Sequence, residues 1–161
     1  EQSGESLVLP NSDIEYNQLV QNDGDYPVYI RVTIEKEWIG EFGEERQPDT
    51  SYIELLYDEE DWLAFPGSIQ ESGRISESDM MSDVNPLVLY YRLPVEIGSD
   101  TSQILQSIHL SPQIDEEYAG AQISISVRAE AVQSYDASNS IPSEWGVFPT
   151  FDGVRIESIS E

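Results

Sequence analysis

The sequence predicts an all-β fold, a jelly-roll-like antiparallel β-sandwich with a long acidic surface insert. Apolar residues recur at every second position far more often than at every third or fourth. The alternating runs are short and are broken by clusters of Gly, Pro, Asn and Asp. No long amphipathic helical stripe is visible, which leaves a two-sheet sandwich as the simplest way to bury the alternating faces. A chain of 161 residues with 39% hydrophobic residues is the size of one ordinary domain, large enough to hold a core without staples. We expect a folded core with disordered ends.

Taken in order, the first six residues and the last few read as frayed. A short apolar patch, Leu7, Val8 and Leu9, is cut off from the rest of the chain by Pro10 and Asn11. Residues 22 to 25, NDGD, raise the question of a metal loop. An EF-hand places its glycine sixth, and counting back from Gly24 puts Leu19 first, with no Glu at the twelfth position. The spacing instead suits a tight turn: Asn22, Asp23 and Gly24 supply the conformational tolerance, and Pro27 stands at the start of a strand, where a missing N–H does least harm.

From there PVYIRVTIE places Val28, Ile30, Val32 and Ile34 on one face and Tyr29, Arg31, Thr33 and Glu35 on the other, a half-buried strand. SYIELLYDEEDWLAF predicts another strand around Tyr52 to Tyr57, with Trp62 beyond a tight acidic corner. The stretch from Ser68 to Pro86 is poor in β-branched and aromatic residues and rich in Ser, Glu and Asp, and reads as a long surface loop. LVLYYRLPVEI aligns Leu87, Leu89, Tyr91 and Leu93. SQILQSIHLS is a further strand, although Ile104, Leu105 and Ile108 would also suit a helical turn. AQISISVRAEAVQ alternates most regularly, with Ile123, Ile125, Val127, Ala129 and Ala131 on one side. The domain reading is therefore an N-terminal segment, 1–19, a sandwich domain, 20–146, holding the insert 64–86, and a C-terminal tail or extra strand, 147–161.

Charge narrows the function classes. Thirty-two acidic residues against seven basic ones give a net charge of −25. Nucleic acid and anionic membrane surfaces are poor partners, because both are bound through clustered Lys and Arg. Such a chain suits surroundings rich in salt, divalent cations or cationic polymers. With no cysteine there are neither disulfides nor thiolate metal sites. No apolar run approaches 18 residues and the sequence begins at Glu1, so we expect neither membrane insertion nor an intact secretion signal in this form.

No complete catalytic constellation is visible in the sequence. The only histidine, His109, lies inside an alternating strand, where a structural or solvent-facing role is the simpler reading, and there is no GxSxG elbow and no HExxH. Paired carboxylates are the one enzyme reading left, since a glycosidase needs only two acids at a set separation, but no aromatic and acidic arrangement singles out a pair. The expectation is a protein that is not an enzyme and needs no cofactor. Calcium is the one candidate ion, at Asp58, Glu59, Asp61, Asp115 and Glu116, where strand ends bring acids together; solvated turns are the alternative. Trp38, Trp62 and Trp145 are core residues or sugar-stacking platforms, with the core the stronger reading.

Four pieces in order carry a resemblance: NDGDYPVYIRV at 22–32, DW at 61–62, LYYRLPVEIGSDTSQIL at 89–105, and ISISVRAEAVQSYDASNSIPSEWG at 123–146. Together they resemble the SipW-dependent exported proteins of Gram-positive bacteria, the family of the biofilm matrix protein TasA and of camelysin, over about Val20 to Gly146. The resemblance implies a secreted jelly-roll subunit of extracellular matrix or cell-surface fibres, exported with a signal peptide that is later removed. Its partner is then itself, head to tail, together with related matrix subunits. Leu7, Val8 and Leu9 become the candidate polymer interface, a strand either paired with its own sheet or donated to the next subunit. Two features depart from the family: the insert from Ala64 to Pro86 and the tail from Val147 to Glu161. The protease activity described for camelysin is not carried over, because the two histidines and glutamate of a zinc protease are missing. The alternative function is a monomeric cell-surface binding module for carbohydrate or a host protein.

Overall fold

The protein is described from a computed structural model, covering residues 2–4, 12–40, 48–65, 85–114, 118 and 121–160. It is an all-β, antiparallel sandwich with one short helix among the described residues. The strands are β1 (Gln2–Gly4), β2 (Asp13–Ile14), β3 (Val28–Ile39), β4 (Ile53–Leu56), β5 (Trp62–Phe65), β6 (Leu87–Tyr91), β7 (Ser107–Leu110) and β8 (Gln122–Gln133). After them come helix α1 (Ala137–Trp145) and a hairpin, β9 (Phe148–Asp152) and β10 (Arg155–Ser160). One sheet has five strands in the order β1-β8-β3-β6-β5, the other has three in the order β2-β7-β4. Among the described residues no helix is long and apolar enough to cross a membrane.

The main core follows the period of two. Ile30, Val32, Ile34 and Trp38 of β3 meet Ile53 and Leu55 of β4 and Ile108 and Leu110 of β7, all buried in one cluster. The sequence expectation for β3 holds and extends to Ile39, where Lys36 also turns inward; it is 2% exposed, and its Nζ donates to the Ile53 carbonyl at 2.6 Å. Trp62 is fully buried against Tyr91, with ring centroids 4.8 Å apart, and its indole N–H reaches the Gln103 carbonyl. Trp38 packs on Tyr118 and donates to the Asp49 carbonyl. The pairing of β5 with β6 runs from Trp62↔Tyr91 to Phe65↔Val88, so the predicted insert leaves and rejoins the sheet at the tip of a hairpin, where added length costs little. Residues 66–84 themselves lie outside the described residues.

A second cluster lies on the opposite face of the five-stranded sheet. Tyr29, Leu63, Tyr90 and Val132 are covered there by Ala137 and Ile141 of α1, by Val147 and by Ile156 of β10. Residues 147–160, read from sequence as a tail or one extra strand, thus supply two strands, and β3 is buried on both faces near its start. The last residues are paired rather than frayed, through Ser160↔Phe148. The helix went unread as well: Ala137 and Ile141 are the i, i+4 pair that docks it, and Gly146, with φ of 70°, ends it, but it has only nine residues and holds Pro142. Leu93, expected to continue the inward row of β6, is exposed instead, because β6 ends at Tyr91.

Candidate functional site

The stretch NDGD is a turn. The Asn22 side-chain oxygen accepts from Gly24 N–H at 2.9 Å, and its amide nitrogen donates to the carbonyls of Tyr26 and Val95, both at 2.9 Å. Asn22 is buried, and it staples the turn to the loop that follows β6.

The acidic corner 58–61 is a structural turn between β4 and β5. Asp58 accepts from Glu60 N–H through its carboxylate and from Asp61 and Trp62 N–H through its carbonyl. Arg92 donates from its Nε to the Glu59 carbonyl and from its backbone to the Asp61 carbonyl, while Arg155 donates to the Glu60 carbonyl. The corner's backbone oxygens therefore hold β6 and β10 in place. Of the candidate calcium ligands, Asp58, Glu59 and Asp61 sit here, while Asp115 and Glu116 lie outside the described residues. Among the described residues no three Asp, Glu or His side chains gather as a metal-holding group. His109 pairs with Asp13 across β7 and β2, its Nδ1 2.7 Å from the carboxylate, on the solvent face of the smaller sheet.

The feature most suited to binding is the far edge of β8. Along its length β8 pairs with β3, from Val28↔Gln133 to Ile39↔Gln122. On its other side it pairs with β1 only over Ile123–Ile125. From Ser126 to Gln133 no strand among the described residues takes up that edge. Ala129 and Ala131 share the inward face with Val32 and Ile30, their cross-strand partners, yet they stand exposed. Among the described residues β8 has only the three-residue β1 beyond it in the sheet, and that strand stops short of these alanines.

The Ala129–Gln133 part of this edge lies in a slot of about 900 Å³. One wall is the turn segment Val20–Tyr26, the other is the side of α1 bearing Asn139, Ser140, Ser143 and Glu144, and the floor includes Ile30, Ala129 and Ala131. Asp23, Asp25, Glu130 and Glu144 line it, and among the described residues no basic side chain does. Behind it, Arg31 donates from one terminal nitrogen to both Glu130 oxygens, at 2.8 and 2.9 Å, and its guanidinium lies 4.8 Å from the Trp145 ring. Burial alone would pull the Arg31 guanidinium down, but hydrogen bonds to Tyr90 and Glu130 outweigh it and hold it above its ordinary value.

Sequence reasoning found the strand but not the slot. The signal that could have found it is the change from isoleucine to alanine along the inward row of β8, from Ile123 and Ile125 to Ala129 and Ala131. The predicted interface residues Leu7, Val8 and Leu9 lie outside the described residues, whereas Gln2–Gly4, expected to be frayed, are paired with β8. No protein-family model, curated protein or solved structure matches the chain.

Proposed function

We propose that this chain is a secreted structural subunit that assembles without covalent links, head to tail, into extracellular matrix or cell-surface fibres. An extended segment of one copy adds to the free edge of β8 in the next. The single observation that carries this reading is the stretch Ser126–Gln133, unpaired among the described residues, whose Ala129–Gln133 part lines a slot between the 20–26 turn and α1. Free edges are normally short, bulged or blocked, because their unpaired N–H and C=O groups capture other chains. This one has small side chains on its inward face, where an incoming strand can place large apolar groups. Each backbone hydrogen bond gained contributes on the order of 1 kcal/mol, so an added strand of several residues is enough to hold subunits together. Donation in one direction does not close on itself, and it yields filaments rather than dimers.

Electron microscopy of the concentrated protein tests this directly, with the variant Ala129→Lys/Ala131→Lys as the control. Both positions are exposed, so the fold should tolerate lysine, while two charges on the inward face of the edge should block addition. Wild-type filaments and a monomeric variant of unchanged melting temperature are expected. Filaments of normal appearance from the variant would remove the β8 edge from the mechanism.

A further inference from the structure

One end of the sandwich collects apolar side chains that neither core uses. Of the eight large hydrophobic residues exposed among the described ones, Tyr26, Leu93, Ile97, Tyr135 and Val154 all belong to loops at the Val28 end of β3, a clustering that scattered surface residues do not show. Hydrogen bonds tie these loops together. Val28 and Val95 exchange backbone bonds at 3.1 and 2.7 Å, Ser134 N–H donates to the Pro27 carbonyl at 2.9 Å, and the Tyr29 hydroxyl donates to the Val154 carbonyl at 2.6 Å.

Tyr26 precedes Pro27 and Tyr135 follows Ser134, the two residues joined by one of these bonds, and the two tyrosines are 57% and 82% exposed. Asp136, in a left-handed conformation with φ of 56°, turns the chain immediately after Tyr135 and leaves that ring in solvent. The charges nearby are mostly acidic. Asp23, Asp25, Glu96, Asp100 and Asp136 lie in these loops. Among the described residues, the two arginines that border these loops are turned to backbone oxygens, Arg92 to the carbonyls of Glu59, Ile156 and Glu157, and Arg155 to that of Glu60.

A ligand for this end must offer flat apolar faces to the phenol rings and cationic hydrogen-bond donors to the carboxylates, and it must carry no anion. Sugar rings supply the first and ammonium groups the second; an ammonium also gains from the ring faces themselves. We propose that this end binds a cationic glycan, a polymer of amino sugars with free ammonium groups, with Tyr26 and Tyr135 as stacking faces and the neighbouring carboxylates as ammonium partners. Tyr26, Asp23 and Asp25 also line the slot while Tyr135 lies outside it, so the test is made on the monomer, where the slot is open.

Titration calorimetry of the monomeric protein with a glucosamine oligomer, the fully N-acetylated oligomer of equal length and an oligolysine tests it. Both tyrosines are exposed, so Tyr26→Ala/Tyr135→Ala should keep the wild-type melting temperature, and it leaves the net charge unaltered. The glucosamine oligomer should bind, its acetylated counterpart about tenfold or more weaker, and the double variant should lose about tenfold for glucosamine while binding oligolysine as before. Equal glucosamine affinity in wild type and variant would reduce the effect to bulk charge and overturn the site. So would an equal loss for oligolysine, which would make the end a peptide surface, or the absence of glucosamine binding altogether.

Discussion

Arg31 and Glu130 face each other directly across β3 and β8, joined at 2.8 and 2.9 Å on the face that α1 covers. An exposed pair of this kind contributes little, but here the guanidinium also lies against Trp145 and near Tyr90, at 4.8 and 5.9 Å. Arg31→Ala removes the stack as well as the charge and should cost about 1–3 kcal/mol in denaturant unfolding. Arg31→Lys should fall between, since an ammonium keeps the charge and loses the planar contact. A loss below about 0.5 kcal/mol for Arg31→Ala would mean that α1 is held by Ala137 and Ile141 alone.

How much of this was legible in the sequence depends on what each residue's neighbours are. The inward rows of β3 and β8 follow from alternation, a property of the strand itself. Whether a face is then covered depends on what packs on it, so alternation places Ala129 and Ala131 on one side with Ile123 but does not tell that they stand exposed while Ile123 is buried. Tyr29 shows the reverse error. It falls on the face read as the outer one, and it is buried because Ile156, more than a hundred residues later, folds over it. The slot is built from β8, α1 and the distant 20–26 turn, and the one local hint of it is the change from isoleucine to alanine along β8. The hairpin tip at the insert was legible only as a composition change, since the pairing of Trp62 with Tyr91 spans it.

Alkaline pH should weaken the fold. Burial raises the Tyr16 and Tyr29 phenols above their ordinary value of 10.0. A raised phenol keeps its proton longer in the folded state than in the unfolded chain, so its contribution is intact below the unfolded value and is lost as pH climbs through and above it. Melting temperature should be flat below about pH 9.5 and then fall, in step with tyrosinate absorbance. Tyr29→Phe should flatten part of that fall while costing about 1 kcal/mol at neutral pH, for the bond to the Val154 carbonyl. An unchanged alkaline slope in that variant would assign the effect elsewhere.

Salt should act in the opposite direction. A net charge of −25 repels itself and repels a second copy, and the charged residues among the described ones that line the slot are all acidic. Raising sodium chloride from about 0.01 to 0.15 M shortens the screening length from about 30 to 8 Å, so both melting temperature and filament yield should rise. Calcium at matched ionic strength separates screening from binding. An added gain that a chelator reverses would bring Asp115 and Glu116 forward as ligands, whereas equal curves would mark the acids as solvated.

Fibres should dissolve to monomer when boiled in detergent. The only lysine in the chain, Lys36, is buried in the core with its Nζ on the Ile53 carbonyl, so it offers no accessible amine for an intermolecular amide. A ladder of heat-resistant multimers on a denaturing gel would contradict this.

The last prediction concerns which segment fills the slot. β1 already pairs with Ile123–Ile125, directly beside the free stretch, so the N-terminal segment has the backbone geometry to join this edge. Leu7 and Leu9 are two apart, which in an extended strand puts both on one face with Val8 on the other. Laid against Ser126–Gln133 of another copy, that face would meet Ala129 and Ala131, where two leucines fill the space the alanines leave. Deleting residues 1 to 11 should therefore give a soluble monomer that no longer polymerises, and a synthetic peptide of those residues should bind it. Leu7→Ser/Leu9→Ser in the full chain should reproduce the loss without removing β1, separating donation from any role of Gln2–Gly4 in stability. If the truncated protein still forms normal filaments while Ala129→Lys/Ala131→Lys does not, the edge is the acceptor and the donor is another segment; if both form them, addition to β8 is not how the subunits join.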